Sequence, residues 1–280
     1  MKNKILAGCC ILLLMGACKK DKSNTPGNNK KIASMIVNSR NIVFSYDAQG
    51  RLQRIDNGVD FYTTFEHSPA GIIMQQYDAA GSPIPGGRLQ MNVVNGSIFT
   101  AKEITSNNGV VRNHSYSYDG EGRLIQHFAR EVYEPTNQVA RTVQFIYTYT
   151  GQNASHVAYL HTNGGDAHAS DSVSIDLAYY AGKKLYTYAD IGFSYFGTVP
   201  VGMQHQGHGV ASPINRLISL PVLPANNPLK AQKTKSYRWN AAQSRWDLNN
   251  TGGWDVPEAD YEYDAHGYLI ECNGSEIKWQ

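Results

Sequence analysis

Tyr46-Asp47-Ala48-Gln49-Gly50-Arg51-Leu52 returns as Tyr118-Asp119-Gly120-Glu121-Gly122-Arg123-Leu124 and again as Tyr263-Asp264-Ala265-His266-Gly267-Tyr268-Leu269, with a shorter copy at Tyr77-Asp78-Ala79-Ala80-Gly81. The repeated unit encodes a turn. Its Asp accepts backbone N–H bonds, the next two positions tolerate right-handed helical geometry, and Gly50, Gly81, Gly122 and Gly267 supply the positive φ that closes a type I turn with a bulge. The aromatic before it and the Leu after it are strand residues that pack across the hairpin. Each copy reads as strand–turn–strand, and the series reads as an antiparallel up-and-down meander of β-hairpins, an all-β curled sheet or barrel-like domain. A row of calcium sites is the competing reading of the four Asp residues. It fails because calcium needs several oxygen ligands converging on each ion, and one Asp per hairpin does not provide them.

Working outward, looser relatives lack the Asp or the Gly: Phe65-Glu66 through Gly71, Tyr149 to Gln152, Tyr180 to Leu185, and Trp239-Asn240 through Trp246. Between the turns the chain alternates. Val173, Ile175, Leu177 and Tyr179 share one face of a strand over 172–179, and Val143, Phe145, Tyr147 and Tyr149 share one over 142–149. Ile42, Phe44 and Tyr46 do the same. Spacing of this kind predicts about twelve to sixteen strands, one face packed and one wetter. Composition agrees: 280 residues at 41% hydrophobic can bury a large core, and 18 Tyr with 26 Gly and 11 Pro favour strands and turns. Lys and Arg total 25 against 23 Asp and Glu, with no basic stripe, which argues against a nucleic-acid partner.

The N-terminus carries a different message. Lys2 and Lys4 precede an apolar run from Ile5 to Met15 that is too short to span a bilayer, and Gly16-Ala17-Cys18 follows. This segment resembles a bacterial lipoprotein signal. The resemblance implies removal of residues 1–17, lipidation of Cys18 and attachment to a membrane leaflet. Processing would remove Cys9 and Cys10 and occupy Cys18, leaving Cys272 with no disulfide partner. Losing Lys2 and Lys4 leaves 23 basic and 23 acidic residues; five lysines (19, 20, 22, 30 and 31) against Asp21 make the tether +4, and the rest is −4. Residues 18–33 read as that lipidated tether, since Lys19 to about Lys31 holds no apolar residue and cannot bury surface, and 34–280 read as a single all-β domain. Lys19-Lys20-Asp21 partly resembles the export tags of Bacteroidetes surface lipoproteins, so the expected location is the outer membrane, facing either the periplasm or the cell surface.

The seven-residue turns resemble the YD-repeat hairpins of the Rhs and teneurin shells and, more closely, Bacteroidetes lipoproteins of unknown function with Tyr-Asp-x-x-Gly-(Arg/Lys)-Leu turns. The resemblance covers residues 40–280 loosely. It implies a barrel- or porin-like all-β domain without an established activity, with too few repeats to enclose a protein cargo.

Function is expected where the pattern breaks. From about 191 to 235 Gly, Pro and His interrupt any strand, which suggests a loop or plug. His205 and His208 lie there, and Trp246 and Trp254 sit in turn-rich sequence beyond it, where aromatic faces can stack on sugar rings. These four are the candidate ligand-binding residues. His161, Asp166, His168 and Asp171 form a second group, but nothing sequential joins it to His205/His208, His-x-x-His in a Gly-rich loop is a weak zinc signal and a solvated loop accounts for the histidines, so no metal or cofactor is expected. No nucleophile elbow, His-Glu-x-x-His, phosphate loop or dinucleotide fingerprint occurs, and Cys272 reads as a small buried hydrophobe. No catalytic residue is therefore assigned. The leading expectation is a non-enzymatic, membrane-anchored envelope lipoprotein that binds a glycan, a small hydrophobic ligand or an envelope protein. The alternatives are a structural or assembly component of the envelope and a glycan hydrolase with spatially assembled carboxylates.

Overall fold

A computed structural model describes residues 30–37, 39–58, 60–104, 109–166, 168–182, 229–272 and 275–280. Cys18, His205 and His208 fall outside them, as do the signal segment, most of the tether and residues 191–228 of the expected loop. The described residues form seventeen strands in one antiparallel sheet. These are β1 (Ile32–Val37), β2 (Arg40–Tyr46), β3 (Leu52–Asn57), β4 (Phe61–Ser68), β5 (Gly71–Asp78) and β6 (Pro83–Val94). There follow β7 (Ser97–Ile104), β8 (Val110–Tyr118), β9 (Leu124–Tyr133), β10 (Gln138–Thr150), β11 (Asn153–Asn163) and β12 (Asp171–Tyr179). The last are β13 (Leu229–Asn240), β14 (Arg245–Asp255), β15 (Tyr261–Tyr263), β16 (Leu269–Cys272) and β17 (Ser275–Trp279).

From β1 to β14 each strand pairs with the next, and β17 pairs back onto β1, so the two ends of the domain lie side by side. With the pairings β15–β16 and β16–β17, sixteen antiparallel ladders join β15 round to β14. An even number of reversals leaves β14 and β15 pointing the same way. Like-directed neighbours cannot be joined by a hairpin, and no ladder connects these two among the described residues. Their connector, 256–260, contains a 3-10 turn at Glu258–Asp260 and spans at most about 20 Å. The sheet therefore curls until its edges nearly meet, and does not close. The buried Val256 ties the connector to the β12–β13 side of the seam, donating its N–H to Lys230 O at 2.9 Å and accepting the Tyr180 hydroxyl at 2.8 Å.

The Asp turns define one rim. The turns at Asp47, Asp119 and Asp264 share it with both domain ends, while the Asp78 turn, between β5 and β6, lies at the opposite rim. Each Asp N–H bonds the carbonyl four residues on, the Gly N–H returns to the Asp carbonyl, and the Asp Oδ1 caps the N–H at the fourth position, as in Asp119 with Arg123 at 2.9 Å. Gly122 has φ +77° and the register shifts at Ser117/Tyr118, the bulge that such a turn produces. The motif's aromatics do more than pack. Tyr46 donates to Ile32 O, Tyr118 to Ile98 O, Tyr149 to Leu124 O, Tyr179 to Ala154 O and Trp279 Nε1 to Leu269 O, each reaching the preceding strand near its first residue.

One face of the curl is the core: Ile32, Ile42, Phe44, Leu52, Ile55, Ile72, Leu89, Ile98, Val143, Tyr159, Ile175 and Ile277 belong to a continuous buried cluster. The other face is wetter. Glu66, Arg88, Gln90, Asn92, Asn113, Ser115, Ser117, Asp176, Lys233 and Lys235 are exposed, with Phe99, Ile104 and Ile125 scattered among them. A lipid-facing barrel has the reverse arrangement, an apolar band outside and polar groups within.

Three boundaries differ from the expectation. The described residues hold seventeen strands, more than expected because β15 to β17 have only three to five residues each, too few for a period to emerge. Strand β1 starts at Ile32, two residues before the expected start at 34, with Ile32 fully buried and paired with Trp279. Residues 229–235 are strand and not loop. On β13 the positions facing the core side are Gln232, Thr234 and Ser236, opposite Leu177, Ile175 and Val173, so no apolar alternation marks it.

Candidate functional site: a charge row opening onto the β13–β14 hairpin

Near the rim opposite the Asp turns, each strand from β7 to β10 contributes one charge to the core face, and the signs alternate. Glu103 opposes Arg112, Arg112 opposes Glu131, and Glu131 opposes Arg141. Arg112 Nη1 lies 2.6 Å from Glu103 Oε2 and its Nη2 2.8 Å from Glu131 Oε2, which also takes Arg141 Nη2 at 2.9 Å. Burial pulls the Glu131 carboxyl upward, but the two guanidiniums outweigh it and hold it below the ordinary carboxylate range. A carboxylate held ionised in this way is a poor general acid. Buried ion pairs add little net stability, because desolvation offsets the attraction. Their value is geometric, fixing the register of four strands.

The row continues into water. On β11 and β12 His161 Nδ1 stands 3.4 Å from Asp171 Oδ2, and Arg238 of β13 approaches Asp171 at 3.7 Å. On β14 Asp247, opposite Arg238, accepts Asn240 Nδ2 at 2.7 Å and Arg245 Nε at 2.8 Å. Side-chain exposure is 4% at Arg112 and 72% at Arg238. The row is dry at β7–β9 and solvated at the β13–β14 hairpin.

Beneath its dry end lie two buried histidines. His114 Nδ1 is 3.0 Å from His127 Nε2, and His114 Nε2 is 3.5 Å from Glu103 Oε2. The His127 ring stacks between Tyr116 at 4.7 Å and Phe145 at 5.6 Å. Burial drives both imidazoles below their ordinary pKa, His127 well below, the neighbouring His114 adding to the effect there and Glu103 partly opposing it at His114. Burial also pushes the Tyr116 hydroxyl well up.

The hairpin's other face is aromatic. Tyr237 opposes Leu248 and Trp239 opposes Trp246, with the indoles edge-to-face at 5.4 Å and His168 5.0 Å from Trp239. Trp246 and Leu248 are exposed. Trp254 is exposed too, but it opposes Gln232 beyond the bulge at Asn249, and so lies on the opposite face from Trp246. The two indoles named from sequence do not form one platform, because the inserted residue switches the alternation between them.

His161, Asp166, His168 and Asp171 scatter likewise. His161 and Asp171 join the charge row, His168 joins the tryptophans, and Asp166 caps its own turn through Asn163 O. Among the described residues no three His, Cys, Asp or Glu side chains converge as metal ligands. Cys272 lies on β16 opposite Tyr261. Sequence reasoning passed over Glu103, Arg112, His114, His127 and Glu131. One signal was available: period-2 reading of β8 puts Arg112 and His114 with Tyr116, on the face opposite Asn113, Ser115 and Ser117.

No family model matches this chain, and no curated protein matches it either. Solved structures do. A porin-like protein from Bacteroides vulgatus superposes with a TM-score of 0.51 at 12% identity, covering 89% of this chain and 98% of the other. A porin-like protein from Bacteroides uniformis gives 0.46 at 11% identity over the same shares, and a Bacteroides fragilis protein of unknown function gives 0.25 at 9% over 77% and 91%. At these identities the first likeness establishes the fold, an all-β antiparallel meander of porin-like architecture.

Proposed function

We propose that this chain is a non-enzymatic, membrane-anchored envelope lipoprotein whose β domain binds a ligand or partner through the β13–β14 hairpin. The observation that carries the reading is the hairpin itself, with Trp239, Trp246 and Leu248 on one face and Arg238, Arg245 and Asp247 on the other. Exposed aromatics beside fixed charges bind amphiphilic surfaces such as sugars, whose C–H faces stack while their hydroxyls bond. The polar outer face supports a domain tethered outside the bilayer and not embedded in it, which agrees with a lipid on Cys18. The all-β, porin-like fold is compatible with an envelope role.

Two measurements test this. Cells expressing the full chain should incorporate labelled palmitate, and the Cys18→Ala chain should not; equal labelling would remove the anchor. The purified protein, screened by thermal unfolding against oligosaccharides and fatty acids, should be stabilised by about 2.7 kcal/mol at a hundredfold excess of a true ligand over its Kd. Trp246→Ala/Leu248→Ala should abolish that shift while changing unliganded stability by under about 0.5 kcal/mol. A ligand shift that survives the double variant would place binding elsewhere. Absence of any shift, with stable envelope partners captured by cross-linking, would favour the assembly role.

A further inference from the structure

The His114–His127 contact fixes where the protons are. Two imidazole nitrogens 3.0 Å apart share one proton, so one ring donates and the other accepts. His114 Nε2 faces the Glu103 carboxylate, and a bare lone pair there would repel it. His114 therefore carries its proton on Nε2 and accepts at Nδ1 from His127 Nε2–H, leaving His127 Nδ1 bare. The neutral pair fits. A second charge does not, because two imidazoliums would aim N–H groups at each other across 3.0 Å in a site sealed by Tyr116 and Phe145.

We propose that His114 and His127 form an acid trigger: protons taken up by the pair drive β8 from β9 and open the charge row. The surrounding groups leave the added charge poorly compensated. Glu103 of β7 is already engaged by Arg112 of β8, and Glu131 of β9 by Arg112 and by Arg141 of β10. Tyr116 and Tyr118 of β8, Tyr147 and Tyr149 of β10 and Tyr159 of β11, the tyrosines of this wall, stay neutral because burial pushes their hydroxyls up, Tyr159 to about 12. The sign follows from linkage. The unfolded chain takes up protons at both histidines below the ordinary value near 6.5, while the folded chain resists, so stability is full above that pH and lost as pH falls.

The test is the unfolding equilibrium of the full domain, followed between pH 7 and 5.5 with hydrogen exchange at β8 and β9 amides. Below pH 6 the unfolding constant should rise by up to about a hundredfold per pH unit, tenfold for each histidine held neutral. His127→Phe keeps the ring stack and should remove about a tenfold factor from that slope. Exchange at β8 and β9 should accelerate before exchange at β2 and β3. An unchanged slope in His127→Phe overturns the proposal. Should that variant not fold, nitrogen-15 spectra of the wild-type imidazoles decide: Nε2–H tautomers at both rings down to the onset of unfolding support it, and an ordinary titration near 6.5 in the intact fold overturns it.

Discussion

At the rim of the Asp turns, Asp47, Asp119 and Asp264 each satisfy backbone N–H groups within four residues of themselves. At the opposite rim Glu103, Arg112, Glu131 and Arg141 meet only because four strands stand in register. The first kind of contact exists as soon as a hairpin forms. The second requires the wall to be built first, and then penalises any slip by exposing a charge to the wrong neighbour. One rim nucleates hairpins and the other checks their register.

Each half of that contrast can be broken. The largest effect is expected at Arg112→Ala, which takes the guanidinium from the buried Glu103 and leaves the half-buried Glu131 with Arg141, and should cost about 3–5 kcal/mol in chemical denaturation. Replacing Glu103, Arg112 and Glu131 together by Leu, Met and Leu should recover most of it, since the row fixes register more than it stabilises. If the triple replacement costs more than the single one, the row is a net source of stability. At the turn rim, Gly122→Ala should cost about 1–2 kcal/mol through its positive φ. Gly120, two residues away with equally open space around it, is the internal control and should tolerate alanine. The smallest effect belongs to Tyr149→Phe, which removes the hydroxyl from Leu124 O and should lower stability by about 1 kcal/mol. An effect near zero there would reduce the aromatic brackets to ring packing.

Legibility in the sequence divides along the same line. The Asp turns and the strands over 142–149 and 172–179 are local patterns, and the structure holds strands β10 and β12 over those stretches. The charge row pairs single residues far apart in the chain, nineteen positions for Arg112 with Glu131 and 67 for Asp171 with Arg238. No spacing rule connects them, because their meeting depends on loop lengths and bulges. The hairpin was half visible. Trp246 stood out as an exposed aromatic, but its partner is the cross-strand Trp239 and not Trp254, a choice made by the bulge at Asn249. Strand β13 escaped because its core-side residues are polar, facing a part of the curl where water enters.

The pairing of β17 with β1 sets the order in which the molecule can be made. Ile32 and Trp279 are neighbours in space, with Lys31 and Gln280 exchanging bonds of 2.8 and 3.0 Å, yet they belong to the first and last strands of the sheet in chain order. Every other ladder joins strands consecutive in the chain. This one must wait for β17, and closing so long a loop makes it an intrinsically slow step. Until then β1 presents an unpaired edge, so newly made molecules pass through a stage at which a neighbour's strand can take the place reserved for their own C-terminus. A chain permuted to begin at Glu258, in the connector across the seam that no ladder spans, with residues 280 and 31 fused, would form that ladder as a local hairpin and shorten the vulnerable interval.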